Sequence, residues 1–229
     1  MMEGDRILEI IRQYLEEVRY TLGVLPLGRI QNVIDLLLSA NYAGSTVFTL
    51  GNGGSAATAS HFACDLAKGT ITPNRPRFRV VALTDNVPLM TAWSNDVAYD
   101  DVFAEQLSGL IRPADVVVAI SGSGNSPNVL RAVELARRME GITIGFSGFD
   151  GGRLSTLVDI PVVVPCDCME QIEDVHVVLC HLTTSVLRER MRQIEPPLLH
   201  KLNTAGGQRE CQSVMVGLRS MALEGEGFW

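Results

Sequence analysis

The sequence predicts an α/β protein, a doubly wound parallel five-stranded sheet flanked by helices, with an N-terminal helical hairpin. Three observations lead there. Short, nearly continuous apolar runs recur along the chain, most of them closed by Gly, Ser or Asp, as in strands buried on both faces. Stretches with helical apolar spacing separate the runs, as crossover connections require. Two Gly/Ser-rich loops follow directly on such runs, at the carboxyl ends of strands where open parallel sheets hold ligands.

In chain order, Ile7, Leu8, Ile10, Ile11, Leu15 and Val18 recur at helical spacing. A second set, Ile30, Val33, Ile34, Leu36, Leu37 and Leu38, follows the break Leu25-Pro26-Leu27-Gly28. These two helices are the expected hairpin. The strands are read at Val47–Leu50, Val80–Leu83, Val116–Ile120, Ile142–Phe146 and Ile160–Val164, and the intervening helices at 55–70, 98–110, 126–139 and 169–193. Pro196-Pro197 ends the last helix, which divides the chain into a domain over 1–193 and a C-terminal extension over 194–229.

At 229 residues and 24.9 kDa, with 46% hydrophobic and 20% charged residues, the chain has the composition of one globular domain rather than of a disordered protein. Its net charge of −7 opposes a polyanion, so nucleic acid is not an expected partner. No run approaches the roughly 18 apolar residues of a membrane helix, and the start MMEGDRILEI lacks a basic region followed by an apolar one. A cytoplasmic protein with no membrane partner is expected. The five cysteines (Cys64, Cys166, Cys168, Cys180 and Cys211) form no CxxC pair, and Cys166 and Cys168 read as reduced thiols.

The chemistry concentrates at the strand ends. The first run is followed by Gly51-Asn52-Gly53-Gly54-Ser55, where glycines admit a ligand close to the backbone and Ser55 can cap the next helix. The third is followed by Ser121-Gly122-Ser123-Gly124-Asn125-Ser126-Pro127, which sets hydroxyls and backbone N–H groups at a helix start whose dipole favours an anion. That loop has no Lys and matches neither GxxxxGK[ST] nor GxGxxG, so a phosphomonoester fits and a nucleotide cofactor does not. The competing reading is an ordinary Gly/Ser turn with a helix cap.

Two further groups stand out. His61 and Asp65 lie four residues apart on one helix face, as metal ligands, an acid/base pair or a surface ion pair would. Glu173, His176 and His181 lie on the last helix. Glu173 and His181 are two turns apart, about 12 Å along the axis, too far for an undistorted helix to aim both at one ion. His176, alone in an apolar run, reads as structural.

Together, Gly51-Asn52-Gly53-Gly54-Ser55-Ala56-Ala57, His61-Phe62-Ala63, Ser94-Asn95-Asp96, Ile120 to Ser126 and Ile172 to His176 resemble the sugar isomerase (SIS) fold. More narrowly, they resemble the sedoheptulose 7-phosphate isomerases, or phosphoheptose isomerases. The resemblance implies an aldose–ketose isomerisation of sedoheptulose 7-phosphate to D-glycero-D-manno-heptose 7-phosphate, the first step toward activated heptose. It also implies a homotetramer with active sites between subunits and one divalent metal per subunit, expected to be zinc. Carried over, the phosphate site falls on Ser121, Gly122, Ser123 and Ser126. Sugar contacts fall on Asn52, Gly53, Gly54, Asn95 and Asp96, with Ser55 in the same neighbourhood. The implied metal ligands are His61, Asp65, Glu173 and His181, with Asp65 also the base and His181 the acid, so that Asp65 and Glu173 also face the substrate.

This chain departs from the family pattern at four positions. Asp65 stands for a Glu, Glu173 for a Gln, Gly122 for a Thr, and Gly69 for an Arg beside Lys68. Two alternatives follow: a non-catalytic SIS protein that binds a phosphosugar or associates with a DNA-replication initiator, and an isomerase for a different sugar phosphate.

Overall fold

The computed structural model describes residues 3–193; the extension 194–229, with Pro196-Pro197 and Cys211, lies outside them. The strands are β1 Thr46–Gly51, β2 Arg79–Ala82, β3 Val116–Ile120, β4 Ile142–Ser147 and β5 Ile160–Val163. All neighbours pair in parallel, in the order β2-β1-β3-β4-β5. The chain moves outward one way from β1 to β2 and then the other way from β3 onward. The crevice at the carboxyl ends of β1 and β3 is therefore the topological switch point.

The apolar runs are continuous because both faces of the sheet are covered. On one face, Val47, Val116, Val118 and Ile120 pack with Leu36, Leu37, Phe62, Ile172 and Leu179. On the other, Phe48, Leu50, Val117 and Ala119 pack with Phe103, Leu107, Val133 and Leu154. Pro161 is accommodated because β5 is an edge strand, with one side free of ladder hydrogen bonds.

The helices are α1 Glu3–Gly23, α2 Leu27–Ala43, α3 Gly54–Cys64, α4 Val87–Asp96, α5 Val102–Ser108, α6 Pro127–Arg138, α7 Gly152–Leu157 and α8 Met169–Gln193. A π-helical turn, Asp65–Gly69, prolongs α3, and a 3-10 turn, Tyr99–Asp101, precedes α5. The five strands and the long helices match the sequence expectation closely, while α4 and α7 were not expected. α4 buries no residue and α7 is six residues long, so neither carries an apolar stripe legible from periodicity.

The N-terminal helices are present but form a bent pair, with a 68° turn at the break, instead of folding back on each other. α1 leans on α8 instead: Tyr14 Oη donates to Asp174 at 2.6 Å and Gln171 Nε2 donates to Glu17 at 2.7 Å. The stripe read from periodicity therefore faces outward, with Ile10 59% and Leu15 61% exposed. Among the described residues no single helix is long and apolar enough to cross a membrane.

Candidate active site

Gly51 closes β1 where three segments converge. A Cβ there would lie 2.7 Å from the Ser55 carbonyl oxygen and 2.8 Å from that of Ile120, so only glycine lets β1, α3 and β3 approach so closely. Gly53 then takes φ +54 at the start of α3, a left-handed conformation that glycine adopts without strain. The loop after β3 turns into α6, and Ser121 Oγ and Ser126 Oγ stand 3.3 Å apart across it. The result is a cavity of about 140 Å³ lined by Asn52, Ser55, Ser121, Gly122, Ser123, Ser126, Met169 and Glu173. Among the described residues no Lys or Arg lines it, so an anion there is met by hydroxyls, amide N–H groups and the N-terminus of α6. A wider cleft of about 600 Å³ between α1 and residues 165–168 contains none of the loop residues.

Met169 and Glu173 come from the first turns of α8. A side chain at Gly122 would meet the Met169 thioether, so the missing threonine methyl and hydroxyl are replaced by a sulfur laid over the loop. The Glu173 carboxylate lies on Gly54, where a Cβ would be 2.7 Å from each of its oxygens. Asn95 and Asp96, at the end of α4, do not line the cavity; they are exposed and bond each other at 2.8 Å. Gly53 and Gly54 are exposed beside it.

Farther along the same two helices, His61, Asp65 and His181 converge. The two imidazole Nε2 atoms are 2.7 Å apart, and Asp65 Oδ2 is 3.4 Å from His61 Nε2 and 3.8 Å from His181 Nε2. Both rings are about half exposed. Asp65 begins the π-helical turn, whose widened backbone re-aims the side chain, and such turns recur at functional sites.

Two imidazole nitrogens and a carboxylate oxygen within 4.8 Å of one another form a donor set that suits a divalent cation such as zinc with an open position. Three of the four expected ligands are thus together. Glu173 stands apart from them, at the loop cavity. A Cβ at Gly69 would lie 3.0 Å from the Thr184 methyl, and Arg188 Nη1, reaching over from α8, donates to the Gly69 carbonyl at 3.1 Å.

His176 is fully buried with Nε2 3.3 Å from the Ser147 carbonyl oxygen, and burial pulls its pKa down to about 4. Burial also pushes the Cys180 thiol well above its usual value. Both belong to the core. Tyr99, Asn128, Met169 and Arg188 were not singled out from sequence, because each reaches its place through tertiary contacts that no local motif announces.

A model of the SIS domain matches residues 11–148. The phosphoheptose isomerase of Geotalea daltonii is 36% identical over 176 residues, 77% of this chain and 91% of that one. That of Geobacter sulfurreducens is 37% identical over 180 residues, 79% of this chain and 93% of its own. The solved phosphoheptose isomerase of Francisella tularensis superposes with a TM-score of 0.75 at 29% identity, covering 82% of this chain and 100% of that one. On this evidence the chain belongs to the phosphoheptose isomerases, a family of sugar-phosphate isomerases built on the SIS domain.

Proposed function

We propose that the protein converts sedoheptulose 7-phosphate to D-glycero-D-manno-heptose 7-phosphate through a cis-enediol, in the cytoplasm and as a homo-oligomer, a tetramer by family analogy. One observation carries this reading. α3 and α8 run side by side in the same direction, with Gly54 against Glu173 at the loop cavity and His61 against His181 about two turns on. Eight residues of α8 separate the two levels, about 12 Å along the axis. An extended seven-carbon sugar phosphate spans on the order of 10 Å from C1 to phosphorus, at roughly 1.2 Å per bond. A phosphate in the serine loop thus leaves C1 and C2 near the histidines.

In this reading Ser121, Gly122, Ser123 and Ser126, with Ser55 and the α6 N-terminus, anchor the phosphate and fix the chain's direction; Asn52, which the resemblance gives to the sugar, lines the same cavity and is assigned here to the phosphate as well. The Asp65 carboxylate removes the proton α to the carbonyl and returns it to the adjacent carbon. His181 carries the proton between the two oxygens on the ring nitrogen that a bound cation would leave free. His61, Asp65 and His181 would hold one divalent cation per subunit, with Glu173 an additional carboxylate on α8. Such an ion, when bound, polarises a carbonyl oxygen. No nucleotide cofactor is involved.

The oligomer is supported by the outward apolar stripe of α1, since a stripe of this kind on a helix is buried by association. Purified protein incubated with sedoheptulose 7-phosphate should form an aldoheptose phosphate, followed by chromatography or by coupling to a heptose kinase. Protein that binds the sugar phosphate and never turns it over would leave the non-catalytic alternative.

A further inference from the structure

At the switch point a pair of side-chain amides ties the two ligand loops together. Asn128 lies in the first turn of α6 and is 1% exposed. Asn52 Nδ2 donates to Asn128 Oδ1 and Asn128 Nδ2 donates to Asn52 Oδ1, both at 2.8 Å. The backbone N–H of Val129 also donates to Asn128 Oδ1, at 3.0 Å. An N–H requires an acceptor, so this contact fixes which end of the Asn128 amide is oxygen, and through the reciprocal pair it fixes Asn52 as well.

Tyr99 completes the lock. Its hydroxyl donates to Asn52 Oδ1 at 2.9 Å, and the turn that carries it is tied back to α6 by Arg131, which bonds Asp101 at 2.6 Å and Asp100 at 3.2 Å. Asn128 and Arg131 are three residues apart on one face of α6, so a single helix holds both partners of Asn52. Both lone pairs of Asn52 Oδ1 are then taken, and one Nδ2 hydrogen is engaged by Asn128. The second Nδ2 hydrogen has no partner among the described residues, and Asn52 lines the cavity.

We infer that Asn128 and Tyr99 are positioning residues that hold Asn52 as a hydrogen-bond donor only, so that the ligand atom it meets is a phosphate oxygen. This rests on the phosphosugar reading above. The physical need follows from the lining: among the described residues no cationic side chain faces the cavity, and an unrestrained amide could turn its carbonyl toward the phosphate and repel it. Holding the amide before the ligand arrives removes that orientation and its entropic cost.

The test is a double-mutant cycle read by calorimetric binding of inorganic phosphate and by KM for sedoheptulose 7-phosphate. Tyr99 is half exposed, so Tyr99→Phe should keep the wild-type melting temperature. It should weaken phosphate binding about 3- to 10-fold, the effect of one lost hydrogen bond, with KM rising in parallel. In an Asn52→Ala background the same substitution should change neither. Asn128→Ala, where it folds, should weaken binding further than Tyr99→Phe and also fall silent beside Asn52→Ala. An unchanged affinity for Tyr99→Phe, or an equal loss with and without Asn52, overturns the inference. Phosphate binding without turnover sinks the isomerase reading alone, whereas wild-type protein that binds no phosphate at millimolar concentration sinks both.

Discussion

His61 and His181, 120 residues apart in the chain, meet edge to face with their Nε2 atoms 2.7 Å apart. Asp65 Oδ2 lies beside both, so three donor atoms from two helices converge on one point, as the ligands of a single divalent cation do. From this comes the first prediction. Protein purified without chelator should carry about one zinc per chain, and His61→Ala or His181→Ala should each lower that content at least tenfold after dialysis. Elemental analysis decides it: wild-type protein that stays metal-free in zinc-containing buffer refutes the ligand assignment.

Asp65 is half-buried and sits at the mouth of the π-helical turn, so a change of charge there should leave the fold intact. Asp65→Asn should lower kcat by about 100-fold or more, the usual scale of a lost general base, with an unchanged far-UV spectrum. A variant that retains more than about a tenth of wild-type kcat would remove Asp65 from the base role.

Glu173 is a carboxylate in a cavity suited to an anion. Glu173→Gln removes that charge while keeping the side chain over Gly54. In water two unit charges about 4 Å apart interact by about 1 kcal/mol, so the variant should bind inorganic phosphate roughly fivefold more tightly in the presence of chelator. Equal affinity would mean that Glu173 does not face the phosphate.

The sheet and the site differ in how much of each the sequence carries. Strands such as Val116–Ile120 were legible because burial on both faces leaves a local, uninterrupted apolar signature. The Gly51–Ser55 and Ser121–Ser126 loops were legible because their glycines and hydroxyls are consecutive in the chain. By contrast, the pairing of His61 with His181, and the lock on Asn52 by Tyr99 and Asn128, depend on which helices the sheet sets side by side. The angle between α1 and α2 is not legible for a related reason. The periodicity of α1 shows an apolar stripe but not which neighbour covers it, and among the described residues none does.

That stripe yields a further prediction. Ile7, Ile10, Ile11 and Leu15 are each about half or more exposed. Leu15→Lys together with Ile11→Lys should shift the protein from an oligomer to a monomer in analytical ultracentrifugation. Wild-type protein that sediments as a monomer would remove α1 as the contact surface.

His176 supplies a pH dependence of stability. Burial against Phe146 and the Ser147 carbonyl keeps its imidazole neutral in the folded protein, with a pKa of about 4 against the ordinary 6.5. Below pH 6.5 the unfolded chain takes up a proton there that the folded protein refuses, so stability falls as pH drops from 6.5 toward 4 and is unaffected by this group above neutrality. Between pH 7 and pH 5 the loss from this residue is roughly 2 kcal/mol, since the unfolded imidazole is almost fully protonated at the lower pH and the folded one is not. His176→Gln retains a donor for the Ser147 carbonyl and cannot titrate. Its urea midpoint should therefore lie below that of wild type at pH 7, with the gap narrowing at pH 5. A variant whose midpoint falls between the two pH values as steeply as that of wild type would show that the acid sensitivity arises elsewhere.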